Sequence, residues 1–371
     1  MEFDDRTALF RTAVALTAGL TDTVLRAIRD TGLGYEDFFS LEDDAIKERL
    51  GLPPKKRLSL DARQEALAKA PAELEFVRCH KIKMMLSTDE DYPFRLRDAT
   101  YTPPVLFQLG KTNLDAHHAV AFVGTRTATP YGLKFCDDAI REIGDSIKDT
   151  IVVSGLAYGI DVASHIASLR NNIPTVAVVA HGLDSIYPAD HRDIARKIIK
   201  AGGAIVSEYP HGTSAFRDHF LRRNRIIAGL SDATVVVESD IRGGALSTAA
   251  HARSFGRTVA ALPGRVADRY SLGCNHLIAK GYASVIESPR TLVEMLGGPA
   301  EEAVQPTLIP QLPPTQMLIY NILRKAGQPL MPDQILPYTK LKIPELLSEL
   351  NEMMLDGILL RHPGNRFEIA I

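Results

Sequence analysis

The stretch TIVVSGLAYGIDVASHIASLRNNIPTVAVVAHG, Thr150 to Gly182, decides the fold. It opens on a run that is apolar on both parities, passes through a glycine-bearing loop into a helical pattern, and ends on a second such run. Runs rich in β-branched residues and apolar on both sides suit strands covered by helices on both faces. Strand, helix and strand in that order make a parallel βαβ unit with a right-handed crossover. The alternation extends both ways. AVAFVG (119–124) precedes it; GAIVSE (203–208), ATVVVES (233–239), TVAALPG (258–264) and ASVIES (283–288) follow. Residues from about 117 to 297 therefore predict an α/β, doubly wound, mostly parallel Rossmann-like sheet. Its strand-to-helix loops gather at the carboxyl edge, where a ligand sits.

The flanks differ in character. Residues 1–75 predict a small all-helical domain: RTAVALTAGL, TDTVLRAIRDTGLG, SLEDDAIKERLGLPP and SLDARQEALAKA space apolar residues by three and four, with Thr21 and Ser40 as N-caps. GLG at 32–34 and GLPPKKR at 51–57 read either as helix-hairpin-helix turns that offer N–H groups to phosphate, or as plain helix packing. Residues 298–314, with five prolines between Pro299 and Pro314, predict a stiff linker. Beyond it, 315–371 carries three helical patterns and a hairpin around PGN, a winged-helix layout. Its last helix, IPELLSELNEMMLDG, holds Glu345, Glu349, Glu352 and Asp356 and no basic residue, so a protein-contact role suits it better than duplex DNA.

Composition narrows the function. With 371 residues, 45% hydrophobic and 24% charged, the chain is an ordinary globular protein, and its formal charge of -2 means that any polyanion affinity must come from a local patch. Cys79, Cys136 and Cys274 form no C-x-x-C pair, which points to a reducing, cytoplasmic setting and away from zinc. The start MEFDDRTALF lacks an apolar core for a signal peptide, and no run approaches 18 apolar residues, so no membrane partner is expected.

The carboxyl-edge loops carry the chemistry. In order they read GTRTATPYG (124–132), SGLAYGID (154–161), HGLDSIYPADHRD (181–193), HGTSAFRDHFLRRNR (211–225), ESDIRGGALSTAAHA (238–252) and LPGRVADRYSLGCNH (262–276). Glycines and hydroxyls where helices begin let backbone N–H groups approach an anion. Arg126 and Arg242 would supply bidentate donors at the two ends of such a groove. No G-x-G-x-x-G follows the first strand and no G-K-S/T occurs, so NAD and ATP fingerprints are both missing. Ser154, Asp161 and His165 are candidates for a triad, but their spacing suits helix capping better. His181, Asp184, Asp190 and His191 are irregularly spaced for metal. Glu208 and Glu238 read either as an acid–base pair or as acceptors for loop N–H groups and arginines. No metal or other cofactor is expected. Arg217, Arg222, Arg223 and Arg225 fall within nine residues, interleaved with Phe216 and Phe220. On a helix from about 218, Arg222 and Arg225 share a face while Arg223 points elsewhere. Aromatics among arginines suit stacked bases and held phosphates; a solvated arginine face is the alternative.

These loops resemble the DprA/Smf family of bacterial DNA-processing proteins. The likeness rests on VGTR (123–126), SGLAYGIDVASH (154–165), GLDSIYP (182–188), SEYPHGT (207–213), FLRRNRIIAGLS (220–231), GGALSTA (243–249) and LPG (262–264), with DEDYPFRLRDATYTPPVLFQLGK (89–111) as lead-in, and covers about 85–297. The resemblance implies a homodimer that binds single-stranded DNA and helps load the RecA recombinase, chiefly in natural transformation, without chemical turnover. It implies a DNA groove lined by Gly124, Thr125, Arg126, Ser154, Gly155, Arg217, Phe220, Arg222, Arg223, Asn224, Arg225, Arg242 and Gly243. Arg242 stands where the family commonly has lysine, His181 replaces a glycine, Leu221 a proline and RGGA a serine-bearing form. The rival readings are a nucleotide-binding sensor and a nucleotide phosphoribohydrolase; the latter needs a P-G-G-x-G-T run and a glutamate, which the late loops lack.

Overall fold

The computed structural model describes residues 4–298 apart from 98 and 100, and 312–370 apart from 363. Most of the expected linker, 299–311, lies outside the described residues. The chain divides into two compact units, Met1–Glu301 and Glu302–Ile371.

The first unit opens with five helices: α1 (Asp5–Leu16), α2 (Asp22–Thr31), α3 (Tyr35–Ser40), α4 (Asp43–Arg49) and α5 (Leu60–Cys79). Thr21 caps α2 by accepting the Val24 N–H, and Gly32 closes it at φ 64°, the left-handed conformation that favours glycine. Ser40 is not an N-cap. It ends α3, a helix the sequence did not announce, and Glu42 stands at the cap of α4 ahead of Asp43 and Asp44. Two short elements, β1 (Lys83–Leu86) and α6 (Phe94–Arg97), lead to β2 (Val105–Gly110). Leu86, Val105 and Phe107 of these strands share one core with Val24, Ile28, Phe38 and Ile46, so the helices rest on the sheet's antiparallel margin.

The remaining strands are β3 (His118–Val123), β4 (Thr150–Ser154), β5 (Thr175–Val178), β6 (Ala204–Ser207), β7 (Ala233–Val236), β8 (Thr258–Ala261) and β9 (Ser284–Val285). They alternate with α7 (Pro130–Ser146), α8 (Ile160–Arg170), α9 (Arg192–Lys200), α10 (Arg217–Gly229), α11 (Ala245–Ser254), α12 (Leu272–Ala279) and α13 (Pro289–Met295). The sheet runs β1-β2-β6-β5-β4-β3-β7-β8-β9, parallel from β6 to β9. Thus the doubly wound, mostly parallel sheet is borne out, and all seven runs read from the sequence are strands. What the sequence did not announce is the antiparallel extension, β2 on β6 and β1 on β2. The pleat sorts β3 between the two faces. Val120 and Phe122 pack under α7, α8 and α13, while Ala119, Ala121 and Val123 pack under α10, α11 and α12. From β3 the chain winds through β4 and β5 to β6, then crosses back to β7 on the other side. The gap between the β3 and β7 carboxyl ends is therefore the topological switch point.

The second unit holds α14 (Pro314–Ala326), α15 (Pro332–Ile335), α16 (Ile343–Leu355) and a hairpin of β10 (Leu359–His362) and β11 (Arg366–Ile369). Gly364 and Asn365 both have positive φ (82° and 54°), the turn geometry that matches strand twist. Ile319, Leu323, Leu346, Leu350, Met353 and Phe367 form its own core.

Candidate nucleic-acid interface

A cleft of about 570 Å³ opens at the switch point. One wall is the loop after β3, Val123 to Arg126; another is the loop after β7, Ser239 to Ala245; the first turns of α10 form the third. Close approach requires glycine in the β7 loop and in the turn into α8 behind the β3 loop. A Cβ on Gly243 would lie 2.2 Å from the Ser239 hydroxyl, and one on Gly159, at φ +75°, would lie 2.2 Å from the Thr125 carbonyl. The β3 loop is fixed at both ends: Thr125 N–H donates to the Glu238 carbonyl (2.7 Å), and its own carbonyl accepts from Ile160 N–H (3.2 Å). Neither α10 nor α11 has a side-chain N-cap; in their first turns His219, Leu246 and Ser247 N–H donate to the Phe216, Gly243 and Gly244 carbonyls.

The clustered arginines separate by environment. Arg223 is buried; its Nη1 donates to the carbonyls of Gly155 (2.6 Å) and Val178. Gly155 has no room for a Cβ because Arg223 and the Asp161 carboxylate occupy that space. Asp161 accepts N–H groups of Gly155 and Ala157, yet burial still pushes its carboxyl above the ordinary value against the pull of Arg223. Burial likewise lowers the Arg223 value, which Asp161 partly restores. Arg225 turns away and pairs with Glu208 at 2.6 Å. Arg126, Arg217, Arg222 and Arg242 are exposed, and none of them ion-pairs among the described residues. Phe220 lies between charges: the guanidinium carbons of Arg126 and Arg223 are 5.7 and 5.8 Å from its ring centroid.

Of the thirteen residues that the resemblance implied, the cleft brings together Gly124, Thr125, Arg126, Arg217, Phe220, Arg223, Asn224 and Gly243. Arg222 and Arg242 are exposed outside that lining. Ser154 is buried with its hydroxyl on the Phe122 carbonyl (2.6 Å), and Gly155 is buried behind Arg223. Asp161, Ser239, Asp240 and Thr248 line the cleft without having been singled out as contacts; the motif SGLAYGID pointed to the first. Asp240 is engaged by Arg269 at 2.6 Å.

The other constellations dissolve into separate tasks. His165 Nδ1 meets Thr175 Oγ1 (2.7 Å), whose single proton goes to the Val152 carbonyl, so Nδ1 carries the hydrogen and Ser154 is not its partner. His181 Nδ1 meets the Gly182 carbonyl and His191 Nδ1 the Leu156 carbonyl, while Asp184 accepts Gly212 N–H and Asp190 the Tyr158 hydroxyl. Glu238 accepts from Thr129 N–H (2.9 Å) and its hydroxyl. β6 and β7 stand with three strands between them, so Glu208 and Glu238 are no acid–base pair.

The model of the family described as DNA recombination-mediator protein A matches residues 83–297. The chain belongs to this family. Protein Smf of Escherichia coli is 33% identical over 288 residues, 74% of each chain. The putative DNA processing protein DprA of Mycobacterium tuberculosis is 39% identical over 249 residues, 64% of this chain and 63% of that one. The match thus spans just under two thirds of the mycobacterial relative. Among solved structures, DNA processing protein A of Streptococcus pneumoniae superposes with a TM-score of 0.63 at 29% identity, covering 79% of this chain and 98% of that one. DNA processing protein A of Helicobacter pylori, whose structure concerns its single-stranded DNA binding mode, gives 0.52 at 28% identity, covering 58% and 95%. The span matched by the family model includes every residue that lines the cleft.

Proposed function

We propose that the protein is a single-stranded DNA-binding recombination mediator: a homodimer that protects exposed or incoming strands and helps load RecA, chiefly in natural transformation. In this reading it works in the cytoplasm by binding rather than by turnover. One observation carries it. Two exposed arginines without carboxylate partners among the described residues, Arg126 and Arg217, line a cleft whose aromatic, Phe220, lies within reach of Arg126 and Arg223. Unpaired guanidinium groups attract phosphates, and a ring among them offers a base a stacking face without demanding a sequence. The Helicobacter pylori structure, which concerns single-stranded DNA binding, supports the same ligand. The Rossmann-like span, the helical N-terminal domain and a winged-helix reading of the last unit are the domain scheme we carry with it. Within that scheme the acidic α16 serves a protein contact.

The test is fluorescence anisotropy with a labelled poly-dT strand and the matching duplex across a salt series. Wild type should favour the single strand, with affinity falling linearly in log salt; Arg126→Ala should weaken binding and shrink that slope by about one phosphate contact, ~0.7 in log–log terms. Equal affinity for nucleotide monophosphates and for the strand would instead favour the nucleotide-sensor reading.

A further inference from the structure

Beside the cleft, the loops after β4 and β5 add further rings to the carboxyl edge. Tyr187 is 52% exposed and lies 5.6 Å from Phe220, centroid to centroid. Tyr158 is 44% exposed; its ring edge rests on His191 at 4.8 Å and its hydroxyl donates to Asp190 at 2.7 Å. The Tyr187 hydroxyl is close enough to raise the Tyr158 hydroxyl's pKa, after the larger effect of Asp190. Phe220, Tyr187 and Tyr158 are thus neighbouring rings beside the arginines.

Tyr158 is held through its side chain and Tyr187 through its backbone, although both rings are exposed. Tyr187 N–H donates to His181 Nε2 (3.2 Å), and His181 is itself buried, with Ser207 donating to its carbonyl (2.6 Å). Tyr158 is fixed at the hydroxyl by Asp190 and at the ring by His191. A pre-ordered ring that keeps a large part of its face in water loses little further freedom when a flat ligand covers it. The acidic neighbours, Asp184 and Asp190, make this strip a poor phosphate rail, so its ligand should be met through its flat faces rather than its charge.

We propose that Tyr187 and Tyr158 form a base-stacking subsite that extends the cleft, so that a single strand held at its phosphates by the arginines lays its next nucleobases over these two rings. The inference rests on the single-strand reading above and adds to it a route, from Phe220 at the β3–β7 gap over the loops that follow β4 and β5. It also separates two kinds of contact. The arginine end contributes salt-dependent affinity, whereas the tyrosine end contributes affinity that depends on bases and not on salt.

The experiment compares a labelled dT strand long enough to span both regions with a strand of equal length whose outer half is abasic. Wild type should bind the base-bearing strand more tightly. Tyr158→Ala and Tyr187→Ala should each lower affinity for it about ten-fold, within the range of one base–aromatic stack. The advantage over the abasic strand should shrink, with the salt slope unmoved, and Tyr187→Phe should keep it. In parallel, strands with 5-iodouracil at successive positions are photocrosslinked to the unaltered protein, and the peptides carrying Tyr158 and Tyr187 should be labelled. That arm does not depend on any variant folding. Equal losses on base-bearing and abasic strands, or crosslinks that never reach those peptides, overturn the subsite while leaving the single-strand function intact. If the wild-type protein binds no single strand at all, both readings fall together.

Discussion

Removing the Arg223 guanidinium would strand two strand-end carbonyls, those of Gly155 and Val178, and leave the buried Asp161 carboxyl without its nearest positive charge. Arg223→Ala should therefore cost stability of about 3 kcal/mol, the scale for breaking a buried charge pair from one side. Urea denaturation measures it. Arg126→Ala, at an exposed position without an ion pair among the described residues, should shift the same midpoint by no more than about 0.5 kcal/mol while weakening DNA binding. A second residue sets an acid limit. His165 is fully buried, its Nε2 has no partner among the described residues, and burial lowers its pKa to about 3. The unfolded chain takes up that proton near 6.5 and the folded one near 3. Between those values the unfolded state binds more protons, so stability falls as pH falls, by up to about 1.4 kcal/mol per unit, and is level above the upper value. The melting temperature should drop from pH 6.5 to 4.5, and His165→Gln should flatten the drop; an unchanged slope would remove His165 as the cause.

Among the elements, the turn into α8 is the most constrained. Gly159 combines positive φ with a carbonyl where a side chain would go, so Gly159→Ala should destabilise the protein by about 1–3 kcal/mol and weaken strand binding by displacing Thr125. Thermal melts and anisotropy on one preparation check both. The parallel strands were legible because burial on both faces leaves an unbroken apolar run, as in Thr150–Ser154 and Thr175–Val178. β1 was not, since KMML is four residues with a mixed burial pattern and becomes a strand through its register with Val105–Gln108. The site shows the same division. Clustering of arginines is a property of the sequence and was visible in it. That Arg223 is buried depends on carbonyls 45 and 68 residues away, and that Arg225 is withdrawn depends on Glu208, so spacing on a helix could assign them faces but not tasks. Phe220, by contrast, sits among charges as its neighbours in the sequence suggested.

At the scale of the molecule the N-terminal helices are tied to the sheet's carboxyl edge by one buried carboxylate. Glu73 on α5, with 3% of its side chain exposed, accepts the backbone N–H (3.2 Å) and ring Nδ1 (2.5 Å) of His211, whose ring stacks on Phe76 at 4.9 Å. His211 opens the loop that delivers α10 and its arginines. Glu73→Ala should lose about 1–3 kcal/mol and raise hydrogen exchange in residues 209–216; unchanged exchange there would mean that the helices do not brace the loop. The switch-point topology also governs when the protein becomes itself. Asp232, just ahead of β7, accepts the Ala119 N–H at the start of β3 across a separation of 113 residues, and the cleft lies at the far end of those two strands. Such a long loop must close before its contacts repay the lost chain entropy. During synthesis β3 can meet β4 early, but its other edge stays bare until β7 has left the ribosome. The walls of the cleft therefore come together only once β7 has joined β3, with β8 and β9 still to be added, so a formed cleft reports that folding of this unit has reached the centre of its sheet.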